Sequence, residues 1–344
     1  MSFIKNSLRS IRDTLVLSKG LLMYFLRGTT SDAAHQSMIA LFCRTRGYSN
    51  DMLSWIIGLF RRPYVFDKGS FGVLGAVRGE EESEAVQQLR KEGYYVFRNR
   101  LPEDLCDRLL AYAVSAPCKL RPMDGTALGA PQMAVYHREA PQAVRYEFLA
   151  QDLLNNDDVQ ALLADMSFAS LAQEYLGARP VIDIVALWWH TKFSDKPDAE
   201  AAQYFHFDMD RPKWLKFFIY LSDVGPENGP HSFIAGSHRS NAISPELLNK
   251  GYSRLTDDEV REQFDDDRFI EFSAPRGTII AEDTRGLHKG KHVESGDRLV
   301  MQIEFSNSLF GAYYPKTYLR PDLVPNLAAA VGRYPDLYTY LQGQ

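Results

Sequence analysis

The chain of 344 residues has few cysteines, and those it has do not form a recognisable pair. Cys43, Cys106 and Cys118 are odd in number and lack the close spacing of a zinc site. This pattern argues against a disulfide-stabilised secreted domain and favours free thiols in a reducing compartment. We therefore expect a cytoplasmic protein.

Long apolar runs and an excess of positive charge are also lacking. The longest apolar run near the N-terminus, residues 21–26, is far shorter than the ~20 residues that span a bilayer. No small-residue cleavage site follows it, so we do not expect a signal peptide. The formal net charge is −5, which argues against a broad phosphate-binding surface and excludes nucleic acid as an expected partner.

What the sequence does contain is a large apolar fraction and a basic N-terminus. Hydrophobic residues make up 45% and aromatic residues 12%, so the chain can bury a substantial core. Residues 1–27 combine apolar positions at helical spacing with Lys and Arg and a single acid, Asp13. Such a helix can make a peripheral contact with an anionic membrane, or it can pack on the body of the protein. The sequence leaves both open.

The segment Gln-Tyr-Phe-His-Phe-Asp at 203–208 is the most informative in the chain. In an extended strand His206 and Asp208 project from the same face and can bind one metal ion together. His288, which follows Gly-Leu farther along the chain, can complete the set. Two imidazoles and one carboxylate leave open positions, as in non-haem Fe(II) oxygenases. Asp210 shares the parity of Asp208 and is the alternative carboxylate, which we favour less.

Aromatic and β-branched runs around this motif predict strands at 181–189, 214–221, 277–283 and 298–305. The run at 214–221 has one apolar face and one mixed face, which includes Lys216 and Tyr220 and which we expect to line the pocket. Arg298 begins the last strand. Its planar, permanently charged fork pairs bidentately with carboxylates, so it is suited to hold a dicarboxylate by one end.

Taken together, these elements resemble the phytanoyl-CoA dioxygenase family of Fe(II)/2-oxoglutarate oxygenases over about residues 180–310. The resemblance depends on an ordered set of residues rather than on one motif: His206-x-Asp208, Asn228-Gly229, Gly236-Ser237-His238, His288 and Arg298. It implies an α+β fold with a mostly β core, a double-stranded β-helix of the jelly-roll or cupin-like type with flanking helices. It also implies that the cofactors are Fe(II), 2-oxoglutarate as cosubstrate, and O2.

The resemblance further implies roles for individual residues. Iron would be held by His206, Asp208 and His288, and the distal carboxylate of 2-oxoglutarate by Arg298. Other contacts to 2-oxoglutarate would come from polar residues near the iron, for which the candidates are Lys192, Tyr204, Tyr220 and Thr284. His190 ends a predicted strand and either lines the pocket or makes an ordinary hydrogen bond. We do not expect the remaining nearby histidines to be metal ligands: His231, His238 and His292.

The predicted organisation is a helical N-terminal extension over residues 1–75 and an oxygenase domain over 76–344. Between the Gly-Ser-His stretch and His288 lies a long polar insert, residues 241–269. We expect this insert to border the substrate entrance as a lid, and a solvated helical excursion without a binding role is the alternative.

The expected function is hydroxylation of an unactivated C–H bond of a small organic, lipid-linked or sugar-linked metabolite. Halogenases that resemble this family replace the carboxylate ligand with a small residue, whereas Asp208 is present here. Two alternatives stay open: a non-redox metal- or sugar-binding jelly roll, and a membrane-surface hydroxylase of a lipid-linked sugar or acyl substrate. The sequence does not specify the substrate or the oligomeric state.

Overall fold

A computed structural model describes residues 2–121, 132–250 and 254–341 of the chain. In these ranges the helices are α1 Ser2–Arg27, α2 Asp32–Thr45, α3 Tyr48–Phe60, α4 Glu80–Glu92, α5 Glu103–Ser115, α6 Ala150–Leu154, α7 Asp157–Leu163, α8 Met166–Leu176, α9 Pro245–Asn249, α10 Asp257–Arg261 and α11 Pro325–Arg333. The strands are β1 Phe71–Gly72, β2 Gly75–Ala76, β3 Tyr94–Val96, β4 Cys118–Leu120, β5 Met133–Ala134, β6 Arg145–Glu147, β7 Val181–Thr191, β8 Trp214–Tyr220, β9 His231–Ile234, β10 Phe269–Glu271, β11 Ile279–Glu282, β12 His288–Gly290 and β13 Asp297–Ser306.

The core is an antiparallel sheet of eight strands in the order β3-β11-β8-β13-β7-β6-β4-β5. Alternation along β13 explains its two faces. Leu299, Met301 and Ile303 point into the apolar layer shared with the flanking helices. Val300 packs in a second apolar cluster on the opposite face, and Arg298 and Glu304 share its parity. This second face forms the interior of the barrel.

A second, three-stranded sheet, β10-β9-β12, closes over that interior. Its central strand β9 places Phe233 opposite His288 in register and also in the apolar cluster of the large sheet. Two sheets that enclose one interior make the double-stranded β-helix expected from the resemblance, and the flanking helices lie on the outside of the large sheet. The expected fold class is confirmed.

The predicted core strands are found at 181–191, 214–220, 279–282 and 297–306, close to their expected bounds. The segment 203–208 differs, because it forms no strand. Phe205 makes a single backbone bridge to Leu255, and His206 makes one to His288. Since each residue pairs with a different partner, no continuous ladder can form, although the backbone is extended enough to keep the alternation of side chains.

The N-terminal extension is helical through Phe60, and its helices pack on the barrel. Phe42 of α2 joins an apolar cluster with Phe205 and Phe207 of the metal-binding segment. His35 Nε2 lies 2.9 Å from the carbonyl of Met209. Beyond Phe60 the chain of the extension leaves the helix and forms the hairpin β1–β2. The division of the chain at residue 75 stays a prediction.

The described part of the insert, 241–250 and 254–269, packs behind the metal-binding segment. Leu247, Leu255 and Val260 are buried with Phe205 and Leu287 in one apolar cluster. Residues 251–253 lie outside the described residues. Packing therefore gives the insert a structural contact with the site, and its role as a lid at the substrate entrance stays a prediction.

Candidate active site

His206, Asp208 and His288 converge in the barrel interior, and each of them is buried. One potential ligand atom from each residue lies within 4.8 Å of the others. The Nε2 atom of His206 is 3.8 Å from Asp208 Oδ1, and that of His288 is 3.4 Å from Asp208 Oδ2. Two neutral imidazoles and a carboxylate so placed suit Fe(II) and leave one side of the ion open.

Backbone carbonyls orient the two histidine rings. Nδ1 of His206 is 2.9 Å from the carbonyl of Tyr204, and Nδ1 of His288 is 3.0 Å from that of Gly286. A carbonyl only accepts hydrogen bonds, so each Nδ1 carries the proton and each Nε2 lone pair is available to a metal. Burial also lowers the pKa of both rings, that of His288 to about 4, which keeps them neutral and able to bind a metal.

The main chain ties the three residues together. His206 and His288 exchange backbone hydrogen bonds, N to O at 3.0 Å and 2.9 Å. The N–H of Asp208 donates to the carbonyl of Thr284 at 2.8 Å. Two segments that are distant in sequence are therefore held in a fixed register, and the positions of the ligand atoms follow from the backbone.

The carboxylate of Asp208 accepts a hydrogen bond from a buried lysine. Lys216 Nζ is 2.7 Å from Asp208 Oδ2 and 3.5 Å from Glu304 Oε2. Burial alone would raise the pKa of Asp208, but the ammonium of Lys216 holds it below its usual range. Asp208 is therefore an anion ready to bind a cation.

Asp210, the alternative carboxylate, does not join the two histidines. Burial and the neighbouring charge of Asp208 raise its pKa, and it accepts a hydrogen bond from Tyr314. A carboxyl group that tends to be protonated and points to a tyrosine is a poor metal ligand. The structure thus brings Asp208 into the cluster and leaves Asp210 outside it.

Arg298 lies fully buried in the same interior. Its Nη2 donates to His190 Nδ1 at 2.7 Å, while Nε and Nη1 have no partner among the described residues. A buried guanidinium with two unused donors is costly unless an acceptor completes it. A carboxylate of 2-oxoglutarate offers two acceptor oxygens for this guanidinium, so the arrangement fits that group.

His190 and Gly290 support this arginine. His190 Nε2 lies 3.2 Å from the carbonyl of Ala201, so Nε2 carries the proton and Nδ1 accepts from Arg298. A Cβ atom at Gly290 would lie 2.7 Å from Arg298 Nη2, so a larger residue there would displace the guanidinium. Of the two readings left open for His190, the structure supports a pocket residue that contacts the arginine.

Two of the other predicted cosubstrate contacts, Tyr220 and Thr284, are buried. Tyr220 is buried beside Arg298 and accepts a hydrogen bond from the N–H of His231 at 3.0 Å. The hydroxyl of Thr284 is occupied by the indole N–H of Trp214 at 2.7 Å, so Thr284 holds its loop in place.

Two of those candidates face away from the interior. The hydroxyl of Tyr204 donates to the carbonyl of Pro197 at 3.4 Å, and its own carbonyl orients His206. Lys192 follows the end of β7 and is exposed. The structure does not bring either side chain to the metal cluster, because Lys192 lies beyond the end of β7 and the hydroxyl of Tyr204 is bonded to Pro197.

Several buried charged residues of the interior were not predicted as site residues. Glu282 and Glu304 flank Lys216 in register on the neighbouring strands β11 and β13. Burial raises the pKa of each of these carboxyl groups to about 8. His231 Nδ1 is 2.6 Å from Glu282 Oε1 and stays outside the metal cluster. The sequence signal that could have identified them is a charged residue at a position that faces the interior, within an otherwise apolar strand.

A second guanidinium, that of Arg145, lies near Arg298 on the same side of the interior. Arg145 pairs in register with His190 and lies 4.5 Å above the ring of Trp188. Its Nε is 2.9 Å from Glu147 Oε1. Burial lowers the pKa of Arg145 to about 10, with Glu147 opposing this effect. This end of the interior therefore carries positive charge, which favours an anionic occupant.

The sequence profile of the phytanoyl-CoA dioxygenase family matches residues 89–299, which is more than half of the chain. The chain belongs to this family. It is therefore an oxygenase of the class that uses Fe(II), 2-oxoglutarate and O2. The match includes the two histidines and the carboxylate of the cluster, and also Arg298.

Some solved structures are similar to the chain at low sequence identity. They include the α-ketoglutarate-dependent epimerase SnoN from nogalamycin biosynthesis, at 18% identity and TM-score 0.48 over 72% of this chain and 88% of that one. HygX from Streptomyces hygroscopicus, with nickel, 2-oxoglutarate and hygromycin B bound, has 15% identity and TM-score 0.47 over 67% and 89%. EctD from S. alaskensis, with bound Fe, has 16% identity and TM-score 0.46 over 77% and 92%. No curated protein sequence matches the chain.

Proposed function

We propose that this oxygenase hydroxylates an unactivated C–H bond of a small organic metabolite or of a lipid- or sugar-linked one. The observation that carries the proposal is the shared interior of the metal cluster and Arg298. Three ligand atoms converge within 4.8 Å, and the guanidinium of Arg298 has two donors without a partner among the described residues. One small dicarboxylate can satisfy both features.

In this proposal His206, Asp208 and His288 hold Fe(II), and Arg298 holds the distal carboxylate of 2-oxoglutarate. When bound, these groups supply the oxidising chemistry, in which 2-oxoglutarate is converted to succinate and carbon dioxide. The chain contributes position and a dry interior, because Arg298, Tyr220 and both histidines are buried. Because Asp208 is an intact carboxylate, hydroxylation or a related oxidation such as desaturation is favoured over halogenation.

The test is the optical band that Fe(II) and 2-oxoglutarate give together without oxygen. We expect the protein to show this weak visible band and to release succinate with a fitting substrate from a panel of metabolites. Asp208→Ala should lose both, whereas Asp223→Ala, a change of an exposed aspartate outside the cluster, should keep both. Absence of the band in the unaltered protein would instead support a non-redox metal- or sugar-binding jelly roll.

We also propose a peripheral membrane contact through residues 1–27, at the cytoplasmic face of a membrane. Five apolar residues of α1 are strongly exposed, from 58% to 69%: Leu8, Ile11, Leu15, Leu22 and Leu26. They are three, four or seven residues apart and so form one stripe, which we call the outer face of α1. The opposite side of α1, with Leu17, Leu21 and Tyr24, packs against α2, α3 and Phe310.

Charge supports a lipid surface as the occupant of the outer face. The exposed cations Arg9, Lys19 and Arg27 share α1 with the stripe, and the one acid, Asp13, is buried against Arg44. Two copies of this face would bring like charges together, whereas anionic headgroups would neutralise them. None of the described helices is long and apolar enough to cross a bilayer, so the contact would be interfacial.

Co-sedimentation with vesicles tests this contact. We expect binding to vesicles rich in phosphatidylglycerol, weaker binding to phosphatidylcholine, and loss of binding for the double variant Leu15→Ser, Leu22→Ser. Val65→Ser, at a residue 79% exposed outside the helices, is the matched control. Equal binding by the double variant would contradict the proposal, and a change in its molar mass in solution would identify a second copy as the occupant.

A further inference from the structure

The side chain of Lys216 extends from β8 of the large sheet to the metal cluster. It is buried, and its Nζ atom lies 2.7 Å from Asp208 Oδ2. A hydrogen bond between an ammonium and a carboxylate is charge-assisted and stronger than a neutral one. Of the two oxygens of Asp208, one is therefore already engaged by the protein.

The position of this ammonium is fixed by neighbouring strands. Lys216 lies on β8 between Glu282 on β11 and Glu304 on β13, in direct register with both. Glu282 is engaged by His231, at 2.6 Å from its Nδ1. Glu304 Oε2 lies 3.5 Å from the lysine and has no hydrogen-bond partner among the described residues. The lysine thus bridges Glu304 and Asp208, and its ammonium cannot turn to water because it is buried.

The number of oxygens that Asp208 gives to a metal decides how many positions stay open. A carboxylate can bind a metal through one oxygen or through both. With two histidines and one oxygen, an octahedral ion keeps about three positions, of which a chelating 2-oxo acid takes two and leaves one. If Asp208 used both oxygens, the 2-oxo acid would fill the ion and no position would be left for a small ligand.

From this geometry we infer that Lys216 is a positioning residue: it reserves Asp208 Oδ2 and so makes Asp208 a one-oxygen ligand. The inference rests on the proposed function, since it takes Asp208 as an iron ligand. It assigns Lys216 no contact with substrate or cosubstrate. Its effect is to keep one coordination position free in the presence of 2-oxoglutarate.

Nitric oxide is a probe for that position, because it binds Fe(II) where O2 would and gives a distinctive electron paramagnetic resonance signal. For Lys216→Met, which has similar length but no donor, we expect the affinity of the Fe(II)/2-oxoglutarate protein for nitric oxide to fall at least ~10-fold. The affinities for Fe(II) and 2-oxoglutarate, measured anaerobically, should stay within about 3-fold of the unaltered protein. Lys216→Gln keeps an N–H donor and should retain most of the nitric oxide binding.

Lys213→Met is the matched control, because Lys213 is a largely buried lysine that donates to the carbonyl of Tyr175 at 2.9 Å, away from the cluster. Unchanged nitric oxide binding by Lys216→Met would overturn the inference, and so would equal losses in the Met and Gln variants or loss of Fe(II) binding itself. If Lys216→Met does not fold, nitric oxide binding by Lys216→Gln tests the inference instead. Near-normal nitric oxide binding by that variant supports the inference, and a ~10-fold loss with Fe(II) and 2-oxoglutarate still bound overturns it. Failure of the proposed function would appear earlier, as no optical band in the unaltered protein.

Discussion

The interior of the barrel and the outer faces of the N-terminal helices reverse the usual distribution of charged and apolar side chains. Inside, Lys216, Glu304 and Arg298 are buried. Outside, Leu15 of α1 is 66% exposed and Trp55 of α3 is 65% exposed. Soluble proteins usually bury apolar residues and expose charged ones.

Neither region is explained by the stability of the folded chain alone. Buried charges cost desolvation energy that their partners often do not recover, and contiguous exposed apolar surface is rare without a partner. We propose that the two regions make two contacts of different chemistry, with an anionic small molecule inside and with a lipid surface outside. The inner faces of the N-terminal helices are apolar and buried, as is usual, and they connect the two regions.

The largest expected effect comes from the packing of α2 on the metal-binding segment, which connects the two regions. Phe42→Ala removes a buried ring that lies 5.6 Å from the ring of Phe207 in the metal-binding segment. We expect the free energy of unfolding to fall by about 3–5 kcal/mol, because the cavity cannot close fully. Urea unfolding measures it, and Phe60→Ala, at a ring 67% exposed, should change it by less than about 0.5 kcal/mol. Equal effects would show that α2 does not support the site.

The next effect concerns the charge inside. Arg298→Leu should lower the affinity for 2-oxoglutarate about 100-fold, since a buried charged hydrogen-bonding partner is lost at a cost of about 3 kcal/mol. Anaerobic titration of the optical band measures this affinity. Arg276→Leu, at an arginine that pairs with the exposed Asp107, is the control. If both variants bind 2-oxoglutarate equally well, Arg298 is not its anchor.

A smaller effect tests how far the outer surface extends. Trp55→Ser on α3 should weaken vesicle binding about 10-fold if α3 inserts beside α1, because an apolar side chain contributes about 1.5–3 kcal/mol on burial. The ring of Phe25 on α1 lies 5.1 Å from that of Phe60 on α3, so the two outer faces meet. Tyr313→Ser, at a residue 83% exposed, is the control. Unchanged binding by Trp55→Ser would restrict the contact to α1.

The smallest effect is a pH dependence of stability in the metal-free protein. Burial lowers the pKa of His238 to about 4, below the usual value of about 6.5. Between these values the unfolded chain binds a proton that the folded chain does not, so stability falls as the pH falls. One such group contributes about 1.4 kcal/mol per pH unit. His238→Gln should flatten the pH profile of the free energy of unfolding by that amount, and an unchanged slope would exclude His238 as the cause.

Much of the site could be predicted because its signals are local. His206 and Asp208 are two residues apart, so alternation alone places them on one face. The mixed parity of 214–221 placed Lys216 and Tyr220 inside, where both are found. The segment 203–208 nevertheless forms single bridges instead of a strand, because its partners, Leu255 and His288, belong to different segments.

Other features of the site depend on contacts that only the folded chain specifies. Lys192 shares the parity of His190 but lies just beyond the end of β7, and its side chain is exposed. The sequence shows a hydroxyl at Thr284, but not that this hydroxyl accepts a hydrogen bond from the indole of Trp214. The role of Glu304 depends on register with Lys216 across two strands, and a single sequence does not reveal register.

The reciprocal backbone bonds between His206 and His288 make the spacing of the two rings a property of the main chain rather than of the bound ion. A site built in this way keeps its shape when the ion dissociates, so refilling it demands only diffusion of a new ion and no refolding. We therefore expect that fresh ferrous salt alone restores the protein after its metal is lost to oxidation or to a chelator.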